Sequence, residues 1–106
     1  MTPDALRGHL DSLILAVLEH EPRHGYAIIE ALQVRSGGEL DLPTGTVYPA
    51  LRRLEAAGHL KSAWATAGGR KRRTYTLSAS GRRALAKQRA EWRKFSAVVD
   101  GVLGKA

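Results

Sequence analysis

The sequence contains no cysteine. Disulfides, thiolate catalysis and cysteine-based zinc or iron–sulfur sites are therefore excluded, and a reducing compartment is the expected setting. The longest apolar run, residues 13–18, is far too short to cross a bilayer, and the first residues lack the basic-then-apolar order of a signal peptide. We therefore expect a soluble cytoplasmic protein with no membrane partner, in which the 106 residues form one globular domain.

The positive charge of the chain, net +7, is concentrated in its C-terminal part. Residues 1–43 carry three basic and seven acidic side chains, whereas residues 44–106 carry 14 basic and three acidic ones. A localised positive field attracts a polyanion by steering it and by releasing its condensed counterions, and nucleic acid is the commonest polyanion of the cytosol. A basic surface kept only for solubility is the alternative, but it explains the segregation less well.

Apolar residues spaced for one helical face predict three short helices in the first half of the chain. The first ends near Glu19, before a turn that Pro22 imposes at His20 to Arg23. The second ends at Gly37 and Gly38, and the third ends at Gly58. The apolar residues of the three stripes are Leu10, Leu13, Ile14, Val17 and Leu18, then Tyr26, Ile28, Ile29 and Leu32, then Val47, Leu51 and Leu54.

The pattern changes to period two in the second half. Strand-like alternation on both sides of Gly68-Gly69 predicts a two-stranded β-hairpin, and the chain returns to a long helix from Ser78 or Ser80, either of which is a suitable N-cap. The expected fold class is mainly α with a small β-hairpin. The order is that of a winged helix-turn-helix, with a DNA-binding region at residues 1–77 and a C-terminal dimerisation helix at 78–106 in one structural domain.

The third predicted helix and the hairpin, or wing, carry the candidate contacts to double-stranded DNA. The helix begins with hydroxyl side chains followed by arginines, which suits phosphate and base-edge contacts, although a solvated helix face is the alternative. Four consecutive cations at the wing tip can follow a phosphate track, and a solubilising loop is their alternative. Arg73 shares a strand with Tyr75, which leaves a partly structural role open. The candidate DNA-binding residues are Thr44, Thr46, Tyr48, Pro49, Arg52, Arg53, Arg70, Lys71, Arg72 and Arg73.

The long last helix carries a heptad seam with one polar position. The seam residues are Leu85, Gln88, Trp92, Phe95, Val99 and Val102. A domain this small is not expected to bury them all, so a second subunit is the simplest partner. Packing over the first two helices within one chain is the alternative. A symmetric dimer would present its reading helices to half-sites about 34 Å apart, which predicts a pseudo-palindromic operator.

Three blocks of the sequence resemble the PadR family of transcriptional regulators, and the resemblance covers nearly the whole chain. They are His24-Gly25-Tyr26, then Gly45–Leu51 (GTVYPAL) with Arg53-Leu54-Glu55 and Gly58, then Arg73, Tyr75, Leu77 and Gly81. The blocks occur in the right order around the right predicted elements. The resemblance implies a short winged-helix homodimer that usually represses promoters, with dimerisation through the C-terminal helix and with Leu10 of the first helix in the interface.

Pro49 lies inside the third predicted helix, where a proline removes a backbone hydrogen bond and normally costs about 3 kcal/mol. The resemblance retains one helix here, and we expect Pro49, near its start, to bend it and expose Tyr48 toward DNA. The family often places a serine–proline pair before the glycine of this block, whereas here Pro43 precedes Thr44. This departure leaves the cap geometry and any DNA contact of Thr44 open.

Trp92 predicts a further partner. Some short family members resemble a multidrug-binding type, in which paired tryptophans of the C-terminal helices stack on flat aromatic ligands. Trp92 has a compatible seam position, so it is the candidate ligand residue for a small hydrophobic or aromatic effector. An ordinary interface aromatic is the alternative, because aromatic residues are common at dimer cores.

The histidines and acidic residues do not predict an enzyme. His20 and His24 are four residues apart, but Pro22 between them disfavours a shared helical face for a metal ion. The acidic residues form no acid–base pattern, and no glycine loop lies between a strand and a helix. We therefore expect no catalytic residue, no cofactor and no metal.

Two other binding functions remain as rivals. A non-specific architectural or RNA-binding protein would share the positive charge, but it should present apolar wedges or a sheet surface with stacking aromatic residues. The only aromatic residues on the predicted strands are Trp64 and Tyr75, which is few for such a surface. A winged helix used solely for protein interaction is the other rival, and the wing cations count against it.

Overall fold

The architecture was obtained as a computed structural model, which describes Leu6 and residues 8–104. Its helices are α1 (Leu10–Val17), α2 (Gly25–Arg35), α3 (Thr44–Ala56) and α4 (Ala79–Leu103), and its strands are β1 (Arg23–His24), β2 (Leu60–Ala67) and β3 (Arg70–Leu77). The predicted order of three helices, a hairpin and a long helix is confirmed. The outer ends of the predicted segments 1–77 and 78–106 lie outside the described residues.

Local signals in the sequence define most of the helix ends. The His24 side chain caps α2, since its Nδ1 accepts a hydrogen bond from the Ala27 N–H at 3.3 Å. Gly37 has a φ of 65°, a left-handed conformation that favours glycine and stops the helix. α1 ends at Val17 rather than near Glu19, because Leu18 leaves the helical conformation and its side chain is buried in the core.

The hairpin belongs to a sheet of three strands in the order β1-β3-β2. β2 and β3 pair antiparallel, and Gly68 and Gly69, with φ of 59° and 76°, form the two-residue turn between them. Arg23 pairs with Tyr75 on the free edge of β3, so the prediction of a simple turn around Pro22 was wrong at its C-terminal end. A strand of two residues is too short to show an alternating pattern in the sequence. It forms only where the edge of a partner strand is present.

The hydrophobic core joins α1, α2 and α3 and is closed by the sheet and the first turns of α4. Its residues with no exposed surface are Ile14, Leu15, Ile28, Val47, Ala50 and Leu51. Leu85, predicted at the subunit interface, is only 3% exposed and lies in this core. The start of the predicted seam is therefore covered within the chain, as the intramolecular alternative required.

The start of α4 is joined to the end of α3 by backbone and hydroxyl contacts. Ser78, the N-cap of α4, donates from Oγ to the Gly58 carbonyl at 2.6 Å and accepts from the Gly81 N–H at 3.0 Å. A side chain at Gly81 would overlap the His59 carbonyl oxygen. This close approach explains the glycine in physical terms and fixes where α4 leaves the sheet.

A second junction holds α4 against the segment after α1. The two carboxylate oxygens of Glu19 accept hydrogen bonds from the Arg89 guanidinium at 2.7 and 2.8 Å, and Arg82 donates to the Glu19 carbonyl at 3.1 Å. The hydrogen bonds from Arg89 lower the pKa of Glu19 below its ordinary value of 4.5. The pair thus links the long helix to the core region at a second point.

Over the described part of the chain, no helix is long and apolar enough to span a bilayer.

We expect E19Q to lower the melting temperature at neutral pH, because the folded state loses a charge-assisted bidentate contact. Since the pKa of Glu19 is depressed on folding, its stabilisation is present above pH 4.5 and is lost as the pH falls through the lower pKa of the folded state. Thermal unfolding at several pH values should therefore show the difference from wild type shrinking in acid. E30Q, at an exposed position on α2, is the control. An E19Q deficit that stays constant in acid would contradict this assignment.

Candidate nucleic-acid interface

Burial of one face of α3 determines which of its side chains face solvent. Val47, Leu51 and Leu54 are buried, as the apolar stripe predicted. Thr44, Thr46 and Arg52 are exposed. The candidate reading residues therefore divide into an exposed group and others that make contacts within the chain.

Tyr48 belongs to the second group. It is half-buried and directed toward the start of α2, where any side chain at Gly25 would overlap its phenol ring. Its ring also meets that of Tyr26 edge-on, with centroids 6.4 Å apart. Burial raises the pKa of the Tyr48 phenol, which stays a neutral donor. α3 runs continuously through the half-buried Pro49, and packing against α2 keeps Tyr48 half-buried at the cleft rather than fully exposed.

Arg53 links α3 to α1. Its Nη2 lies 3.0 Å from Oδ1 of Asp11, and both side chains are partly exposed. Sequence reasoning grouped Arg53 with the candidate DNA contacts because it lies off the buried stripe of this helix, after the hydroxyl-rich first turn. The structure separates them, since Arg52 lines the cleft between α3 and the wing.

The wing tip presents its cations in two ways. Arg70 and Lys71 are exposed, whereas Arg72 is half-buried with Nη1 2.8 Å from Nε2 of His24. Nδ1 of the same imidazole caps α2 by accepting from the Ala27 N–H, and a neutral imidazole has only one accepting nitrogen. The two contacts to His24 are therefore alternatives, so Arg72 can leave its contact without destroying the helix cap.

Arg73 connects the wing to the C-terminal half of α3. Its Nε donates to Ser62 Oγ at 2.8 Å, and its Nη2 lies 3.5 Å from Glu55 Oε2. Ser62 also donates to Glu55. The guanidinium carbon lies 5.8 Å from the centre of the Trp64 ring. The partly structural role left open for Arg73 thus has a physical basis, and Glu55 and Ser62 are its partners.

These elements surround an open cleft of about 790 Å³ between α3, the start of α2 and the wing. It is lined by His24, Gly25, Tyr26, Tyr48, Arg52, Glu55, Trp64, Arg70, Lys71, Arg72, Arg73 and Tyr75. Tyr26 and Trp64 are 65% and 66% exposed, and sequence reasoning assigned neither to the interface. The only available signal was that Trp64 lies on a predicted wing strand. The cleft therefore combines guanidinium groups with exposed aromatic faces.

The predicted seam of α4 is largely uncovered beyond its first turns. Trp92, Phe95 and Val102 are 55%, 58% and 82% exposed, Val99 and Leu10 are half-buried, and Trp92 packs on Phe95 with ring centroids 6.1 Å apart. Among the described residues, nothing donates a hydrogen bond to the buried Oε1 of Gln88. Val98 and Leu103, which the heptad pattern missed, extend the exposed apolar surface.

Comparison with known proteins places this arrangement in a family. Residues 14–87 match the model of the transcriptional regulator PadR-like family. A PadR family transcription regulator from Clostridium difficile is 36% identical, with a TM-score of 0.80 over 92% of this chain and 100% of that one. A PadR family transcriptional regulator from Eggerthella lenta is 31% identical, with a TM-score of 0.83 over 97% of this chain and 88% of that one.

The structure of Bacillus subtilis PadR in complex with operator DNA is also similar in fold, at 24% identity and a TM-score of 0.69 over 76% of this chain and 46% of that one. The matched family and the solved neighbours above are transcriptional regulators rather than enzymes. Because the family model spans most of the chain and covers all three of the sequence blocks described above, this chain belongs to the PadR-like family of transcriptional regulators.

Proposed function

We propose that the protein binds double-stranded DNA sequence-specifically as a cytoplasmic homodimer and represses the promoter it binds. The observation that carries this proposal is the position of the exposed face of α3 beside the wing cations on one cleft. A fold neighbour, Bacillus subtilis PadR, was solved with operator DNA, which supports the same partner here. DNA binding of this kind requires no catalytic residue, cofactor or metal.

α3 and the wing would serve different contacts. Arg52 lines the cleft, whereas Thr44 and Thr46 are exposed on α3 without lining it. All three side chains can reach base edges and phosphates in the major groove, which admits a helix. Arg70 and Lys71 project from the wing, where phosphates of the flanking backbone are the matching partners. Positive charge attracts any duplex, so sequence preference would come from α3.

The second subunit would cover the exposed seam of α4. In this proposal residues 1–77 are the DNA-binding region and residues 78–106 the dimerisation helix of one structural domain. The exposed Trp92, Phe95 and Val102 are the apolar contacts that dimerisation would remove from water. A two-fold dimer would repeat the reading helix about one turn of DNA away, and a pseudo-palindromic operator follows from that symmetry.

Replacing Arg70, Lys71 and Arg72 with alanine should weaken operator binding and make its salt dependence shallower. Each phosphate contact adds about one to the slope of log affinity against log salt, so the slope should fall by up to about three. The measurement is affinity at several salt concentrations, on a consensus obtained by selecting bound sequences from random duplexes. Alanine at Arg83, Lys87 and Lys94, exposed on α4, removes the same charge and is the matched control.

A palindromic consensus, together with a larger slope change for the wing variant than for its control, supports the proposal. Equal binding to every duplex would instead favour a non-specific architectural protein, which lacks a specificity ratio. Absence of binding to any duplex would favour a protein partner.

Substituting Phe95 with aspartate should shift the protein toward monomer, because the charge would have to be buried in the subunit contact. We expect the dimer dissociation constant to rise at least about tenfold, which corresponds to roughly 1.4 kcal/mol. Analytical ultracentrifugation over a concentration series measures this change. A90D, at an exposed position off the seam, should leave association unchanged. A wild-type protein that stays monomeric throughout would refute the dimer.

If an effector binds at the seam, flat hydrophobic dyes should quench Trp92 fluorescence and weaken operator binding. Since Trp64 is the other tryptophan, W64F leaves Trp92 as the single indole reporter. Fluorescence titration of W64F, followed by operator affinity with and without dye, provides the measurement. If the dyes neither quench Trp92 fluorescence nor weaken operator binding, Trp92 is an ordinary interface aromatic and the effector site is refuted.

A further inference from the structure

Trp64 is an exposed tryptophan that takes no part in the hydrophobic core. It lies on β2 directly opposite Arg73, and 66% of its surface is open to solvent. Tryptophan has a large apolar surface and an N–H donor, and it typically buries both in a core or an interface. Its exposure on the wing therefore suggests a contact outside the chain.

The position of Trp64 indicates which partner provides that contact. The cleft that it lines is formed by β1, α2, α3, β2 and β3, and no described residue of α1 or α4 contributes to it. The proposed subunit interface lies on α4 with Leu10 of α1, so a second subunit at that seam would not cover the indole. The cleft instead carries Arg52 and the wing cations, which match a polyanion in charge.

The contacts of Arg73 restrain the position of the Trp64 indole ring. Arg73 is held by Ser62 and Glu55, and the Glu55 carboxylate offsets its charge. Its guanidinium in turn lies beside the indole ring, a cation–π arrangement that restrains the tryptophan. Arg73 thus supports an aromatic surface between α3 and the free cations of the tip.

We propose that Trp64 contacts the sugar–phosphate backbone of bound duplex DNA, with the indole face against a deoxyribose and Nε1–H directed to a phosphate oxygen. This inference rests on the proposed function, since it requires the duplex to occupy the cleft. Trp64 lies three residues before the end of β2, about 10 Å along the strand from the turn. A backbone held by the tip cations would therefore pass beside it on the way to α3.

An uncharged contact differs from an arginine in a measurable way. It excludes water and donates one hydrogen bond, but it neutralises no phosphate and releases no counterion. Because deoxyribose and phosphate are the same at every base pair, it also adds affinity without sequence preference. Loss of Trp64 should therefore weaken all duplexes alike, at every salt concentration.

The experiment measures the affinity of wild type, W64A, W64F and R72A for the selected operator and for a random duplex over a range of salt. We expect W64A to weaken both duplexes about tenfold, with an unchanged salt slope and an unchanged ratio of operator to random affinity. R72A should instead make the slope shallower by about one. W64F, which keeps an aromatic face but lacks the N–H, should fall between wild type and W64A.

A spectroscopic measurement tests the contact directly. Acrylamide quenching of wild type minus that of W64F gives the accessibility of Trp64, which should fall when duplex DNA is added. Thermal unfolding of W64A checks that the wing remains folded, as expected for an exposed position.

The outcomes separate this inference from the proposed function. Wild type that binds DNA, with W64A binding equally well and Trp64 equally quenched, overturns the contact while DNA binding stands. A change in specificity ratio with W64A also overturns it, because the contact would then be to bases. Wild type that binds no duplex refutes the proposed function itself and the contact with it.

Discussion

The burial of one stripe of α3 is the constraint on which the rest of this structure depends. Val47, Leu51 and Leu54 pack into the core, so the opposite face has to face solvent. Tyr48 adds a second restraint, because its ring occupies the space that only a glycine at position 25 leaves open. Together these contacts fix both the rotation of α3 and its distance from α2. The presentation of Thr46 and Arg52 therefore follows from packing on the other side of the helix.

The basic residues of this face have two physical roles that look identical in the sequence. Arg53 and Arg73 are paired with Asp11 and Glu55, and they connect α3 to α1 and to the wing. Like these two arginines, Arg70 and Lys71 on the wing are exposed, but no ion pair within the described residues holds them. Paired cations connect elements, whereas cations without such a pair remain available to an external anion. A count of positive charge describes the attraction of the surface but does not distinguish these roles.

The parts of the fold that arise from local chemistry could be predicted, and those that arise from tertiary contact could not. Ser78 caps α4 and Gly68-Gly69 forms the turn because neighbouring residues determine each of these features. The pairing of Arg23 with Tyr75 and of Arg53 with Asp11 joins segments far apart in sequence. Helical periodicity placed Leu85 and Trp92 on one face, but it could not show that the core covers the first and leaves the second exposed.

The junction of Glu19 with Arg89 has a mechanical consequence for the proposed dimer. α4 has 25 residues and is about 37 Å long, and Arg89 lies about 15 Å from its start. A rotation of about 10° at that point would displace the far end of the helix, about 21 Å away, by roughly 4 Å. In the proposed dimer the angle between the two copies of α4 would set the distance between the two copies of α3. One carboxylate at the pivot, remote from the cleft, would thus help to determine which spacing of half-sites the protein can span.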